Sequence, residues 1–121
     1  MKIISLFLLL SFSFSTLAQI ECTEYKTCAE ASIERSGYVY SDCKKIANDA
    51  QDLCASVAIN RSGYVYSDCL KLEAGGRCAE ASIERSGYVY SDCMKIVNSR
   101  QDRCASAAIK RSGYVYSDCL H

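Results

Sequence analysis

The sequence has no tryptophan and no proline, its one histidine is His121, and its three phenylalanines all fall within the first 14 residues. A single histidine removes the commonest general base and metal ligand from almost the whole chain. No nucleophile elbow, phosphate loop, zinc-protease helix or C-x-x-C redox pair is present either. The residues therefore offer no catalytic set, and the chain is expected not to be an enzyme. Zinc wants close cysteine pairs, often with histidine, and both are missing. Calcium wants several carboxylates in one short loop, and these are missing too. No cofactor and no metal are expected. Basic residues are not in excess: 14 Lys and Arg face 14 Asp and Glu, with both signs interspersed. That argues against nucleic acid, or an anionic membrane, as the main partner. No second hydrophobic stretch follows the first, so no stable membrane insertion is expected.

The N-terminal apolar run has the form of an export signal. Lys2 gives a positive start, Ile3–Phe14 is apolar apart from serines, and Thr16-Leu17-Ala18 supplies small residues where a signal peptidase reads. Residues 1–18 are read as a signal peptide cleaved after Ala18, with 19–121 as a single cysteine-rich domain that is secreted or periplasmic. Nine cysteines in a short exported chain point to disulfides.

One phrase, RSGYVYSDC, occurs four times, at Arg35–Cys43, Arg61–Cys69, Arg85–Cys93 and Arg111–Cys119. Each copy belongs to a unit that opens with Cys-Ala, and the units span 28–53, 54–77, 78–103 and 104–121. A fixed period marks a repeat array. The starts are separated by 26, 24 and 26 residues, and 28–71 matches 78–121 at 36 of 44 positions, so a pair of units has been copied whole. Lys44, Asp49, Ala50, Leu53 and Asn60 become Met94, Ser99, Arg100, Arg103 and Lys110. All lie outside the phrase, which reads as tolerance of surface change between phrases.

Apolar residues at Cys43, Ile46, Ala47, Ala50, Cys54, Val57 and Ala58 follow helical spacing. This predicts helices over 42–61 and 92–111, each capped by the Ser-Asp at its start and ended by Gly63 or Gly113. A first helix is expected over 23–35, ended by Gly37, and a broken or kinked one at Gly75-Gly76. Tyr-Val-Tyr-Ser favours an extended run. The fold expected is all-α: a small disulfide-stapled array of about four ~25-residue units, each a helix plus an extended GYVYSD connector. A parallel-strand solenoid is the variant.

Geometry suggests the disulfides. Within one helix, Cys43 and Cys54 would stand about 16 Å apart, whereas a disulfide needs Cα atoms within roughly 7 Å. The connector can instead bring Cys43 back to Cys28. The expected bonds are Cys28–Cys43, Cys54–Cys69, Cys78–Cys93 and Cys104–Cys119, with a cross-repeat pair such as Cys69–Cys78 near the Gly pair as the alternative. Cys22 is left over, either as a free thiol or as the link of a covalent dimer.

The candidate binding residues are the paired tyrosines Tyr38 and Tyr40, Tyr64 and Tyr66, Tyr88 and Tyr90, Tyr114 and Tyr116. In an extended segment both tyrosines point one way and the valine between them the other. Stacked units would then present a tyrosine ribbon suited to a protein or a glycan. Against this, a chain so poor in Phe and Trp needs at least one tyrosine per unit for its core. The arginine of each phrase sits in the last helical turn, and an Arg–Asp pair within each unit is expected. The function expected is an exported, non-enzymatic binding module. The alternatives are a structural or self-assembling protein, since GYVYS is uncharged and β-prone, and a small secreted toxin or inhibitor. Asn60-Arg61-Ser62 has the form of a glycosylation sequon.

Overall fold

A computed structural model describes residues 26–121. The signal-peptide reading, the cleavage after Ala18, Cys22 and the first residues of the expected first helix lie outside the described residues. Four α-helices follow one another: α1 (Lys26–Ser36), α2 (Asp49–Ser62), α3 (Gly76–Ser86) and α4 (Ser99–Ser112). Each is followed by a connector and a short 3₁₀ turn, at Ser41–Lys45, Ser67–Lys71, Ser91–Lys95 and Ser117–Leu120. No strand occurs among the described residues. The chain is a disulfide-stapled helical repeat, one α-helix per unit, with each helix packed against its neighbours in sequence.

Each helix ends on the same device. The phrase glycine takes a positive φ, 81–86° at Gly37, Gly63, Gly87 and Gly113, and its N–H bonds the carbonyl of the isoleucine four residues back at 2.7–2.8 Å. Only glycine adopts this left-handed conformation without steric cost. The chain reverses and runs back extended, with Tyr40 at φ −68° and ψ 141°. The disulfides are Cys28–Cys43, Cys54–Cys69, Cys78–Cys93 and Cys104–Cys119, with Cα–Cα distances of 5.3–5.6 Å. Each ties the first or second turn of a helix to the 3₁₀ turn that follows it. A cross-link over a loop of this size contributes about 3 kcal/mol.

The expected long helices over 42–61 and 92–111 are not continuous. Cys43 is held beside α1 by its disulfide, and the chain then turns outward through Ile46, extended at φ −69° and ψ 128°. Ile46 is buried, which is why its spacing mimicked a helix. The true N-caps are Asn48 and Asn98, whose side chains accept from the N–H of Gln51 and Gln101 at 2.8 Å. Ser41 and Asp42 lie in the 3₁₀ turn instead. Cys43 and Cys54 are thus in separate elements, and their separation along one helix is not what keeps them apart. The helix is broken before the Gly pair, as one of the two expectations had it, and not kinked. Gly75 precedes α3 and Gly76 begins it, and every unit is interrupted between its 3₁₀ turn and the next α-helix.

The core is not built from tyrosine. The largest fully buried side chains are Ile59, Leu72, Ile83, Ile96 and Ile109, joined by the cystines. Burying each of these aliphatic side chains stabilises the fold by about 1.5–3 kcal/mol. Val65, Val89 and Val115 are buried from the connectors, and Tyr40, Tyr66, Tyr90 and Tyr116 are only half-buried against the cluster.

Candidate functional site

Neighbouring helices run parallel, because hydrogen bonds join start to start and end to end. At the starts, the Asp52 carboxylate accepts from the N–H of Cys28 at 2.9 Å, from the N–H of Thr27 and from the Thr27 hydroxyl. Asp102 accepts from the N–H of Arg77 at 3.1 Å and of Cys78 at 2.8 Å. A buried carboxylate of one unit therefore caps the helix of the unit before it, where the dipole favours negative charge. At the ends, the Arg35 guanidinium donates to the carbonyls of Ile59 and Asn60, both at 3.2 Å. Arg61 reaches Glu84 O, and Arg85 reaches Ile109 O and Lys110 O. The expected Arg–Asp pair within each unit is absent among the described residues. Asp42, Asp68 and Asp92 pair instead with Lys45, Lys71 and Lys95 at 3.1–3.2 Å, in exposed pairs worth little. Sequence reading missed both inter-unit devices. Their signal was an acid and a base recurring 23–25 residues from the helix ends that they serve.

These contacts hold the connectors in line. Gln51 strengthens the frame, donating to the carbonyls of Leu70 and Leu72 while accepting from the Ala47 N–H. Val65, Val89 and Val115 turn inward and the tyrosines beside them outward, as alternation along an extended segment requires, whereas Val39 of the first connector is exposed. The two tyrosines of a phrase then differ. Tyr40, Tyr66, Tyr90 and Tyr116 are half-buried, and each hydroxyl bonds the serine of its own phrase: Ser36, Ser62, Ser86 and Ser112. Tyr38, Tyr64, Tyr88 and Tyr114 are 58–62% exposed, and each ring leans on its partner with centroids 5.1–5.2 Å apart. Tilted contacts of this kind add about 0.5–1.5 kcal/mol beyond area burial. The outer ring is exposed yet supported.

Successive connectors leave open grooves between them. One, of about 230 Å³, lies between Tyr64 and Tyr66 on one side and Gly87 and Tyr88 on the other, with Asp68 beside it. The next, of about 430 Å³, lies between Tyr88 and Tyr90 and Gly113 and Tyr114, with Ser91 and Asp92. Each groove offers aromatic edges and faces, a carboxylate and hydroxyls. The eight candidate tyrosines thus fall on one layer, in two ranks.

No group of His, Cys, Asp and Glu among the described residues could hold a metal ion. No described helix is long and apolar enough to cross a membrane. Four disulfides fit an oxidising extracellular space. The chain matches no protein-family model, no curated protein and no solved structure.

Proposed function

We propose that this chain is an exported, non-enzymatic binding module whose tyrosine-rich connectors engage a repetitive extracellular polymer, a glycan in the first instance. The observation that carries this reading is the rank of Tyr38, Tyr64, Tyr88 and Tyr114, exposed at 58–62% in four successive units. A large aromatic side chain is normally drawn inward. Here it is kept outside by an inner tyrosine whose hydroxyl is already satisfied by serine. Rigid rings lose little entropy on contact and suit the apolar faces of sugars, while the Asp and Ser beside them suit hydroxyls. One site would be weak. Four in line gain about 10²–10⁴ in avidity if the ligand repeats.

The test is co-sedimentation of the exported protein with insoluble chitin and cellulose. The variant carries Tyr38→Ser, Tyr64→Ser, Tyr88→Ser and Tyr114→Ser, which spare the inner tyrosines and the core. Binding by the wild type that the variant loses supports the reading. Binding that the variant keeps puts the surface elsewhere, and no binding to either polymer removes these neutral glycans as partners of the tyrosines.

One observation favours a second reading, self-association. Ile33 is 49% exposed, although its counterparts Ile59, Ile83 and Ile109 are fully buried under a neighbouring helix. Sedimentation velocity over a range of concentrations separates the two, since a monomer throughout excludes assembly.

A further inference from the structure

Another groove lies away from the tyrosines, between α3 and α4. It encloses about 530 Å³ and is lined by Arg77, Glu80, Arg103, Ser106, Ala107 and Lys110. Three cations share one concave surface. All three are exposed, and among the described residues none takes part in an ion pair. The counterparts of Arg77, Arg103 and Lys110 in the first pair of units are Thr27, Leu53 and Asn60. Two near-identical copies thus differ in charge at this groove in one direction only, toward positive, the remaining difference there, Val57 against Ala107, being neutral. Nearby, Ala50 corresponds to Arg100 and Asp49 to Ser99, which extends the same trend. Drift on a solvated face would scatter both signs.

We infer that the α3–α4 groove binds an acidic polysaccharide, a chain of sugars bearing carboxylate or sulfate groups. Guanidinium groups make strong charge-assisted, often bidentate hydrogen bonds to such oxyanions. Lys110 adds a more mobile point charge. Glu80, in the same wall, selects against uniform charge. It repels an anion placed directly on it but accepts from a hydroxyl, so the ligand must space its acid groups with hydroxyls. The groove lies on the helix layer, and the tyrosines lie on the connector layer. The two surfaces are independent, and loss of one leaves the other standing.

The experiment measures binding to dextran sulfate and to polygalacturonate, with neutral dextran as the blank, at low and at physiological salt. The decisive variant is Arg77→Thr, Arg103→Leu and Lys110→Asn together. Each replacement is the residue already present at the equivalent place in the first pair, so the fold accommodates it. A second variant removes three cations elsewhere: Lys45→Ala, Lys71→Ala and Lys95→Ala. The expected result is salt-sensitive binding to at least one acidic polymer, weakened about tenfold or more in the groove variant through loss of charge-assisted contacts. The second variant should bind like the wild type. The preferred polymer then tells sulfate from carboxylate. Three results overturn the inference: no binding to either acidic polymer, equal weakening in both variants, or duplex DNA bound as well as the polysaccharides.

Discussion

Ile33 and Ile83 hold the same place in two copies of one helix. Ile33 is 49% exposed, and Ile83 is fully buried because α2 packs across it. Cys54 and Cys104 show the reverse at the other end: Cys54 is fully buried and Cys104 is exposed. The environment of a side chain in this array is therefore set by the neighbouring unit as much as by its own sequence. The substitutions between the pairs obey that difference. Ala50, Leu53 and Val57 are half-buried toward α3, whereas Arg100, Arg103 and Ala107 are exposed on α4. Of the five changes read as tolerance at the surface, Lys44, Asp49 and Asn60 are indeed exposed, whereas Ala50 and Leu53 are half-buried and their counterparts Arg100 and Arg103 are exposed and cationic.

The strongest way to break this comparison is to remove equivalent disulfides. Cys54→Ala with Cys69→Ala deletes a cross-link whose two cysteines are both fully buried. It should cost about 4 kcal/mol, from the freed loop and from the void left in the core. Cys104→Ala with Cys119→Ala should cost about 3 kcal/mol, since little packing is lost beyond the cross-link. Urea unfolding without reductant measures both. Equal losses would mean that position in the array does not matter.

The seam between the pairs comes next. A Cβ on Gly75 would stand 2.3 Å from the backbone oxygen of Cys93, and one on Gly76 would stand 3.0 Å from the Cα of Ala50. Backbone atoms cannot give way as a side-chain end can. Gly75→Ala should cost about 3 kcal/mol by overpacking. At Gly37 a Cβ meets nothing within 4 Å. There Gly37→Ala should cost only the left-handed strain, about 1–2 kcal/mol. Thermal unfolding of the two variants checks the order, and a Gly75→Ala protein as stable as Gly37→Ala would show that the units do not meet so closely.

The shared carboxylates give a smaller, finer contrast. Asp52→Asn keeps the shape but removes the charge that serves two N–H groups and the Thr27 hydroxyl. The loss should be about 2 kcal/mol. Asp102→Asn should lose less, because Arg77 offers its N–H but no hydroxyl at that place. Urea midpoints at constant m-value measure the difference.

Much of the architecture was legible because the repeat carried it. The 15-residue cysteine spacing, the stop at each glycine and the alternation in Tyr-Val-Tyr all concern neighbours in sequence. The breaks at Ile46 and Ile96 were not legible. A buried isoleucine in an extended turn has the same spacing as one on a helix, and only the disulfide's pull decides between them. Asp52 drew no reading, and Arg35 was expected to pair within its own unit, because their partners lie 24–25 residues away. The charge balance was silent on placement. Equal totals of acid and base concealed that Arg77, Arg103 and Lys110 converge on one groove.

The smallest predicted effect tests the rule that neighbours decide. Arg85 and Arg111 stand in the same phrase, one residue from the end of the same kind of helix. Arg85 donates to Ile109 O at 3.2 Å and Lys110 O at 3.4 Å, two terminal carbonyls of α4. Its guanidinium also lies across Gly113, with Nε 2.8 Å from where a Cβ would stand. Arg111 has no following helix among the described residues and makes no such bond there. Arg85→Ala should therefore cost about 1 kcal/mol, the net worth of hydrogen bonds to carbonyls that stay partly hydrated without it. Arg111→Ala should fall within about 0.5 kcal/mol of the wild type, as surface substitutions do. Hydrogen exchange is the sharper probe, because it reads one helix end at a time. Faster exchange at the Gly113 amide in Arg85→Ala, with Arg111→Ala unchanged, is the expected pattern. If the two variants behaved alike, the arginine of the phrase would act through its own helix, and the array would be held by apolar contact and disulfides without the guanidinium links.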